Sequence, residues 1–174
     1  MSMSGFGAAP WVRCTMENAF TDQQLGVATA IGDLTVSAVD GAITCVEWRK
    51  GPGIRADTPP VLRQAALQLR AYFNGARERF SLPLELGPGA FQARFQQTLL
   101  DVPFGQTVTY GELGTALGVS ARAIGQACGA NRLPVIVPCH RVVAAANLGG
   151  YSGKHGVETK VALLRHEGAA GLLI

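Results

Sequence analysis

Cys139 and His140 stand side by side in Pro138-Cys139-His140-Arg141, with Arg141 adding a fixed positive charge at the next position. A thiol becomes a nucleophile as its thiolate, which a neighbouring cation or proton acceptor favours. The apolar run Leu133-Pro134-Val135-Ile136-Val137 leads into the motif and reads as a strand-like segment ending in a partly buried pocket. Apolar walls alone raise a thiol's pKa, so His140 and Arg141 are expected to oppose that effect and hold Cys139 ionised. Taken singly, the same residues also fit an inert core thiol, a satisfied histidine and a snorkelling arginine.

The whole chain bounds what such a thiol can serve. Of its 174 residues 48% are hydrophobic and 16% charged, enough for a packed core and against global disorder. No apolar run is long enough to span a membrane, and the N-terminus lacks the basic-then-apolar order of a secretion signal, so cytoplasmic residence is expected. The four cysteines form no C-x-x-C pair and the three histidines all fall in the last quarter, so no metal site is expected. A disulfide framework is not expected either, and Cys14, Cys45 and Cys128 read as free thiols. From residue 103 onward six basic residues (Arg122, Arg132, Arg141, Lys154, Lys160, Arg165) face three acidic ones (Glu112, Glu158, Glu167). That balance fits an anionic partner such as nucleic acid, and equally fits ordinary surface scatter.

The elements that must position the motif follow from periodicity and turn residues. Residues 1–17 read as an irregular lead-in. Gly26–Ile31, Leu34–Val39 and Ala42–Trp48 alternate in polarity and are separated by Gly32-Asp33 and Asp40-Gly41, which predicts a three-stranded antiparallel meander. Val61 to Asn74 reads as an amphipathic helix stopped by Gly75, and this first half shows no catalytic residue. Ser81–Gly89, rich in Pro and Gly, reads as a linker, which divides the chain into units at 1–85 and 86–174. A helix is expected over Ala90–Leu100. Thr109-Tyr110-Gly111-Glu112 is a capping-box signature opening a helix that ends at Gly118, and Ser120 caps another over Ala121–Ala130. The pair forms a helix-turn-helix. Its second helix is nearly without bulk apart from Arg122, Ile124, Gln126 and Cys128. That thinness suits close approach to a narrow groove with one inserted arginine; on these residues alone tight packing against a neighbour in the core is the favoured reading.

From Val108 to Gly168 the sequence resembles the O6-alkylguanine-DNA alkyltransferases, also called methylated-DNA–protein-cysteine methyltransferases. The matching residues are Thr109-Tyr110, Ala121-Arg122-Ala123, Asn131, Pro134, Val137-Pro138-Cys139-His140-Arg141-Val142-Val143, Gly150-Tyr151-Ser152-Gly153 and His166-Glu167-Gly168. The first half matches only in general pattern. The resemblance implies a ribonuclease-H-like α/β N-terminal domain, an antiparallel meander plus helix, followed by a mainly α C-terminal domain with the helix-turn-helix.

For the site, the resemblance implies that Cys139 accepts an alkyl group from O6 of guanine in double-stranded DNA. His140 would take the thiol proton through a water, oriented by Glu167, and Asn131 would brace the turn between the thin helix and the active segment. Tyr110 would donate to guanine N3. The Ser152 backbone N–H would bond O6, and backbone carbonyls of Cys139 and Val142 would receive the exocyclic amine. Pro134 and Tyr151 would wall the base. Arg122 would replace the flipped nucleotide, with Thr109, Tyr110, Ala121, Ala123 and Gly125 against the DNA. An S-alkyl cysteine is a thioether that nothing in the sequence is equipped to cleave, so each molecule would act once, without a cofactor. O4-alkylthymine remains a further substrate to consider, and a monomer is expected, with cooperative loading on DNA left open. The runner-up is a non-catalytic lesion binder, whose kind replaces the acceptor cysteine; a third reading is a Cys-His-Glu thiol hydrolase.

Overall fold

A computed structural model of the chain describes residues 23–153 and 155–169, so the expected lead-in over 1–17 lies outside the described residues. Three antiparallel strands open the fold: β1 (Gln23–Ala28), β2 (Asp33–Val39) and β3 (Ala42–Glu47), in the order β1-β2-β3. Asp40 and Gly41 both take positive φ, 47° and 81°, the turn that Asp-Gly favours between twisted strands. The first strand lies three residues earlier than its alternation suggested. The Thr29 hydroxyl explains the shift: it donates to the Gly32 carbonyl at 2.6 Å and accepts from the Ile31 and Gly32 amides, closing a turn over 29–32. Helix α1 (Pro60–Phe73) starts on a proline that needs no amide partner there, and packs Leu62, Ala65, Leu69 and Tyr72 onto the sheet.

Residues 81–89 are not a free linker. Gln68 exchanges two hydrogen bonds with the Ser81 backbone, and the Ile43 amide and carbonyl bond Pro83 and Glu85, so this segment pairs with the edge of β3. The Val46 amide of the same strand donates to the Arg132 carbonyl at 2.8 Å, stitching the sheet directly to the segment before Cys139. Helix α2 (Ala90–Leu100) buries Phe95 and Leu99 completely. Helices α3 (Tyr110–Leu117) and α4 (Ala121–Gly129) follow, then a 3-10 turn over Cys139–Arg141 and helix α5 (Val157–His166). The apolar core runs without a break from Val36 and Leu69 through Phe95 and Ile124 to Val137 and Leu163. Each such large side chain contributes about 1.5–3 kcal/mol by leaving water. Among the described residues no helix is long and apolar enough to cross a membrane. Cys45 is disulfide-bonded rather than a free thiol, which corrects the reading of that cysteine; Cys14 lies outside the described residues.

Candidate active site

The segment before Cys139 is a compact turn, not the strand its apolar run suggested, and Asn131 makes it so. The Asn131 Oδ1 accepts from the Leu133 amide at 3.1 Å and from Gln96 Nε2 at 3.0 Å, while its Nδ2 donates to the Val137 carbonyl at 3.0 Å. The Val137 amide reaches back to Leu133 O at 2.8 Å. Closing so tight a loop forces Val135 to φ 72°, a strained conformation for a β-branched residue, held by its burial. Cys139 then sits at the start of the 3-10 turn with its amide on Val137 O. After that turn, β5 (Val142–Val143) pairs in parallel with β4 (Val108–Thr109), which ties the start of α3, and with it Tyr110, to the strand that follows the cysteine's turn.

Behind the thiol lies a buried network. His140 Nε2 is 2.7 Å from Glu167 Oε1. A carboxylate only accepts, so Nε2 carries the proton and Nδ1, buried and without a protein partner, keeps the basic lone pair. Arg141 grips the same carboxylate with Nε and Nη2, at 2.8 and 2.9 Å, and donates Nη1 to Val102 O. The Gly105 amide and the Tyr72 hydroxyl complete the shell at 3.2 and 2.6 Å. Burial opposes ionisation of Glu167, but the hydrogen bonds from His140 and Arg141 outweigh it and hold the carboxyl well below its ordinary range. Burial pushes His140 down, so the imidazole rests neutral. Burial also pushes the Cys139 thiol up, against a hydrogen bond from Asn131 and the charge of Lys160. The expectation of a resting thiolate held by Arg141 is therefore corrected: Arg141 serves Glu167, and the resting thiol keeps its proton.

Cys139 opens onto a cavity of about 350 Å³. Tyr110 stands on one side, Gly125, Cys128 and Gly129 of α4 form another, and Gly150, Tyr151 and Ser152 close the lip. Pro134 and Val142 lie outside this lining, and the Val142 carbonyl already accepts from Lys160 Nζ at 2.6 Å. Burial and the two thiols push Tyr110 up to about 12, so its hydroxyl stays a proton donor at neutral pH. Lys160 is fully buried, gives a second bond to Gly150 O at 3.0 Å and places its ammonium 5.8 Å from the Tyr110 ring. A Cβ at Gly149 would come within 2.8 Å of Tyr110, and one at Gly153 would strike Tyr151 and Trp48; these glycines let the loop wrap both aromatic walls.

The helix-turn-helix presents its thin face outward. Thr109 and Glu112 complete the capping box, the Thr109 amide donating to Glu112 Oε2 at 2.7 Å, and Gly118 ends α3 at φ 71°. The Ser120 hydroxyl accepts from the Ala123 amide at 3.2 Å. Of α4 only Ile124 and Ala127 are buried; Ala121, Arg122, Gly125, Gln126 and Gly129 are exposed and Ala123 is half-buried. That settles the alternative left open by sequence: the helix is thin at the surface, not packed in the core. Among the described residues Arg122 has no hydrogen-bond or ion-pair partner.

Tyr72, Trp48, Lys160 and the orienting role of Arg141 escaped the sequence reading. Lys160 left a trace: with Leu163, Leu164 and Glu167 it shares one face of the last helix, a charged residue on an apolar stripe. Tyr72 left none, since it lies 95 positions from Glu167.

Known proteins match this chain in sequence and in fold. Residues 27–86 match the family description 6-O-methylguanine DNA methyltransferase, ribonuclease-like domain, and residues 90–169 match its DNA binding domain. The constitutive methylated-DNA–protein-cysteine methyltransferase of Bacillus subtilis is 35% identical over 151 residues, which cover 80% of this chain and 91% of that protein. The chain belongs to the 6-O-methylguanine DNA methyltransferases. A methylated-DNA–protein-cysteine methyltransferase of Mycobacterium tuberculosis is 43% identical over 112 residues, 63% of this chain and 67% of that methyltransferase. The crystal structure of the M. tuberculosis O6-methylguanine methyltransferase superposes with a TM-score of 0.74 at 33% identity, covering 85% of this chain and 93% of that one. A second structure, of the M. tuberculosis methyltransferase in complex with DNA, gives 0.72 at 36% identity over 83% and 92% of the two chains.

Proposed function

We propose that Cys139 is the acceptor through which this methyltransferase repairs methylated DNA by direct reversal, and that the substrate is O6-alkylguanine in double-stranded DNA. One observation carries the reading: Cys139 lines the cavity and is followed in the chain by His140, a buried neutral imidazole held by Glu167. In the reaction, His140 Nδ1 draws the thiol proton through a bridging water as the base arrives. The sulfur attacks the O6-bound carbon, the S–C bond forms, and the C–O6 bond breaks with its electron pair moving to guanine. Tyr110 donates to the purine N3 as that charge develops and recovers its proton from the His140 side. Ser152 at the lip and Tyr151 at the wall hold the base.

Reaching the base requires flipping it, at a cost of a few kcal/mol. The exposed α4 suits the minor groove, where Thr109, Ala121, Ala123 and Gly125 add little bulk and Arg122 takes the vacated place in the stack. The division of labour we infer makes residues 1–85 the scaffold and 86–174 the DNA-binding and acceptor unit, acting as a cytoplasmic monomer. The lesion-binder alternative is not favoured, because the acceptor thiol is present and backed by a base. The test is a comparison of wild type with Cys139→Ser. The serine variant is expected to bind methylated duplex with affinity within a fewfold of wild type yet remove no methyl group; methyl removal by the variant would contradict the assignment.

A further inference from the structure

Beside the cavity, two buried polar groups lack partners. The indole N–H of Trp48 and the hydroxyl of Tyr151 are both shut off from water and make no hydrogen bond. Burying such groups unpaired is unfavourable, so each calls for an explanation. The two meet at Gly153. A Cβ built there would come within 3.0 Å of Trp48 Nε1 and 2.9 Å of Tyr151 Cζ, the carbon that carries the hydroxyl. The Trp48 N–H lies close enough to favour ionisation of Tyr151, although burial outweighs it and keeps the phenol protonated. The two residues are held differently. Trp48 directly follows β3, and a Cβ at Gly32, in the turn between β1 and β2, would sit 3.8 Å from its ring. Tyr151 stands on the lip of the cavity between Gly149-Gly150 and Gly153, where a Cβ at Gly150 meets nothing within 4 Å. The lip thus has a freedom to turn its aromatic ring that the sheet denies to Trp48.

We propose that Trp48 is a positioning residue for the wall that holds the base: as the base enters, Tyr151 turns on its lip and accepts a hydrogen bond from the Trp48 indole N–H. The inference rests on this cavity being the one that receives the lesion. A base stacked on the Tyr151 ring favours one orientation of that ring, and the bond to Trp48 fixes it. Pairing two buried polar groups only when the base is inside makes the filled cavity more favourable than the empty one. Bound duplex is therefore shifted toward the state with its base everted, while the contacts of α4 with DNA are unchanged. Losing the bond should slow transfer on saturating duplex and leave duplex affinity alone. The first half of the chain then takes part in holding the base, through one indole nitrogen.

The test is a double-mutant cycle on the full chain with Trp48→Phe, Tyr151→Phe and both, each variant keeping its aromatic ring. Single-turnover rates on saturating O6-methylguanine duplex are read by intact-protein mass, and duplex affinity by fluorescence anisotropy. Each single variant is expected to transfer methyl about fivefold or more slowly, the scale of one net hydrogen bond, with affinity within about twofold of wild type. The double variant is expected to be no slower than the slower single one, because the second change removes a bond already lost. Losses that multiply overturn the proposal, as do wild-type rates in both single variants. Should Trp48→Phe fail to fold, fluorescence carries the test. The chain has two tryptophans, Trp11 and Trp48, so Trp11→Phe leaves Trp48 as the sole emitter. In that background with Cys139→Ser, methylated duplex is expected to change the emission in a way that unmodified duplex does not and that Tyr151→Phe abolishes; a change that survives Tyr151→Phe, or none at all, overturns the proposal. Absence of methyl transfer to the wild type would instead overturn the acceptor assignment, and this inference with it.

Discussion

Five hydrogen bonds converge on the carboxylate of Glu167, from Tyr72, Gly105, His140 and twice from Arg141, in a site only 4% exposed. A buried charge with this many donors is stable only while its partners remain, and removing one member of such a pair costs about 3–5 kcal/mol. Glu167→Gln is therefore expected to lose about that much stability in urea unfolding and to slow methyl transfer by about 100-fold or more, because a carboxamide is uncharged and keeps one acceptor oxygen for five donors, which weakens the hold on His140 Nε2. The pH dependence has a definite sign. The folded carboxyl titrates below its unfolded value of about 4.3, so its contribution is complete above that pH and drains away as pH falls below it toward the folded value. Glu167→Gln should flatten this acid limb of the stability curve; an unchanged limb would show that the carboxylate is not the group lost.

At the scale of elements, α4 must be bare to do its work. Gly125 is exposed and an added Cβ there meets nothing, so Gly125→Leu is expected to fold with wild-type stability while losing at least tenfold in affinity for duplex DNA, measured by fluorescence anisotropy. Full duplex affinity in that variant would remove α4 from the DNA interface. This helix pair was legible because its signals are local: the Thr109–Glu112 box, the left-handed Gly118 and the Ser120 cap each act within one turn. The turn over 131–137 was not, because an apolar run alone cannot announce that Gln96, 35 positions away, holds the Asn131 carbonyl. The first strand slipped for a related reason: a threonine hydroxyl, not the Gly-Asp pair, closes its turn.

Across the whole molecule, the half without catalytic residues reaches into the reaction centre. Tyr72 on α1 donates to Glu167, His166 Nε2 contacts the Tyr72 carbonyl at 2.7 Å, and Trp48 beyond β3 crowds Gly153 beside Tyr151. A hydrogen bond to a buried charge contributes about 1.5–3 kcal/mol. Tyr72→Phe is expected to lose about that much stability and to slow transfer several-fold at undiminished DNA affinity; unaltered transfer would mean that the first half only supports the fold. Such contacts explain why the composition and periodicity of residues 1–85 disclosed an α/β unit yet no share in the chemistry. The central claim, that one sulfur takes the alkyl carbon and keeps it, is tested most directly by peptide mapping after reaction with duplex whose O6-methyl carbon is isotopically labelled. One label per molecule on the peptide containing Cys139, with no further repair by the labelled protein, is the expected result; label on any other residue, or methanol released with continuing turnover, would contradict it.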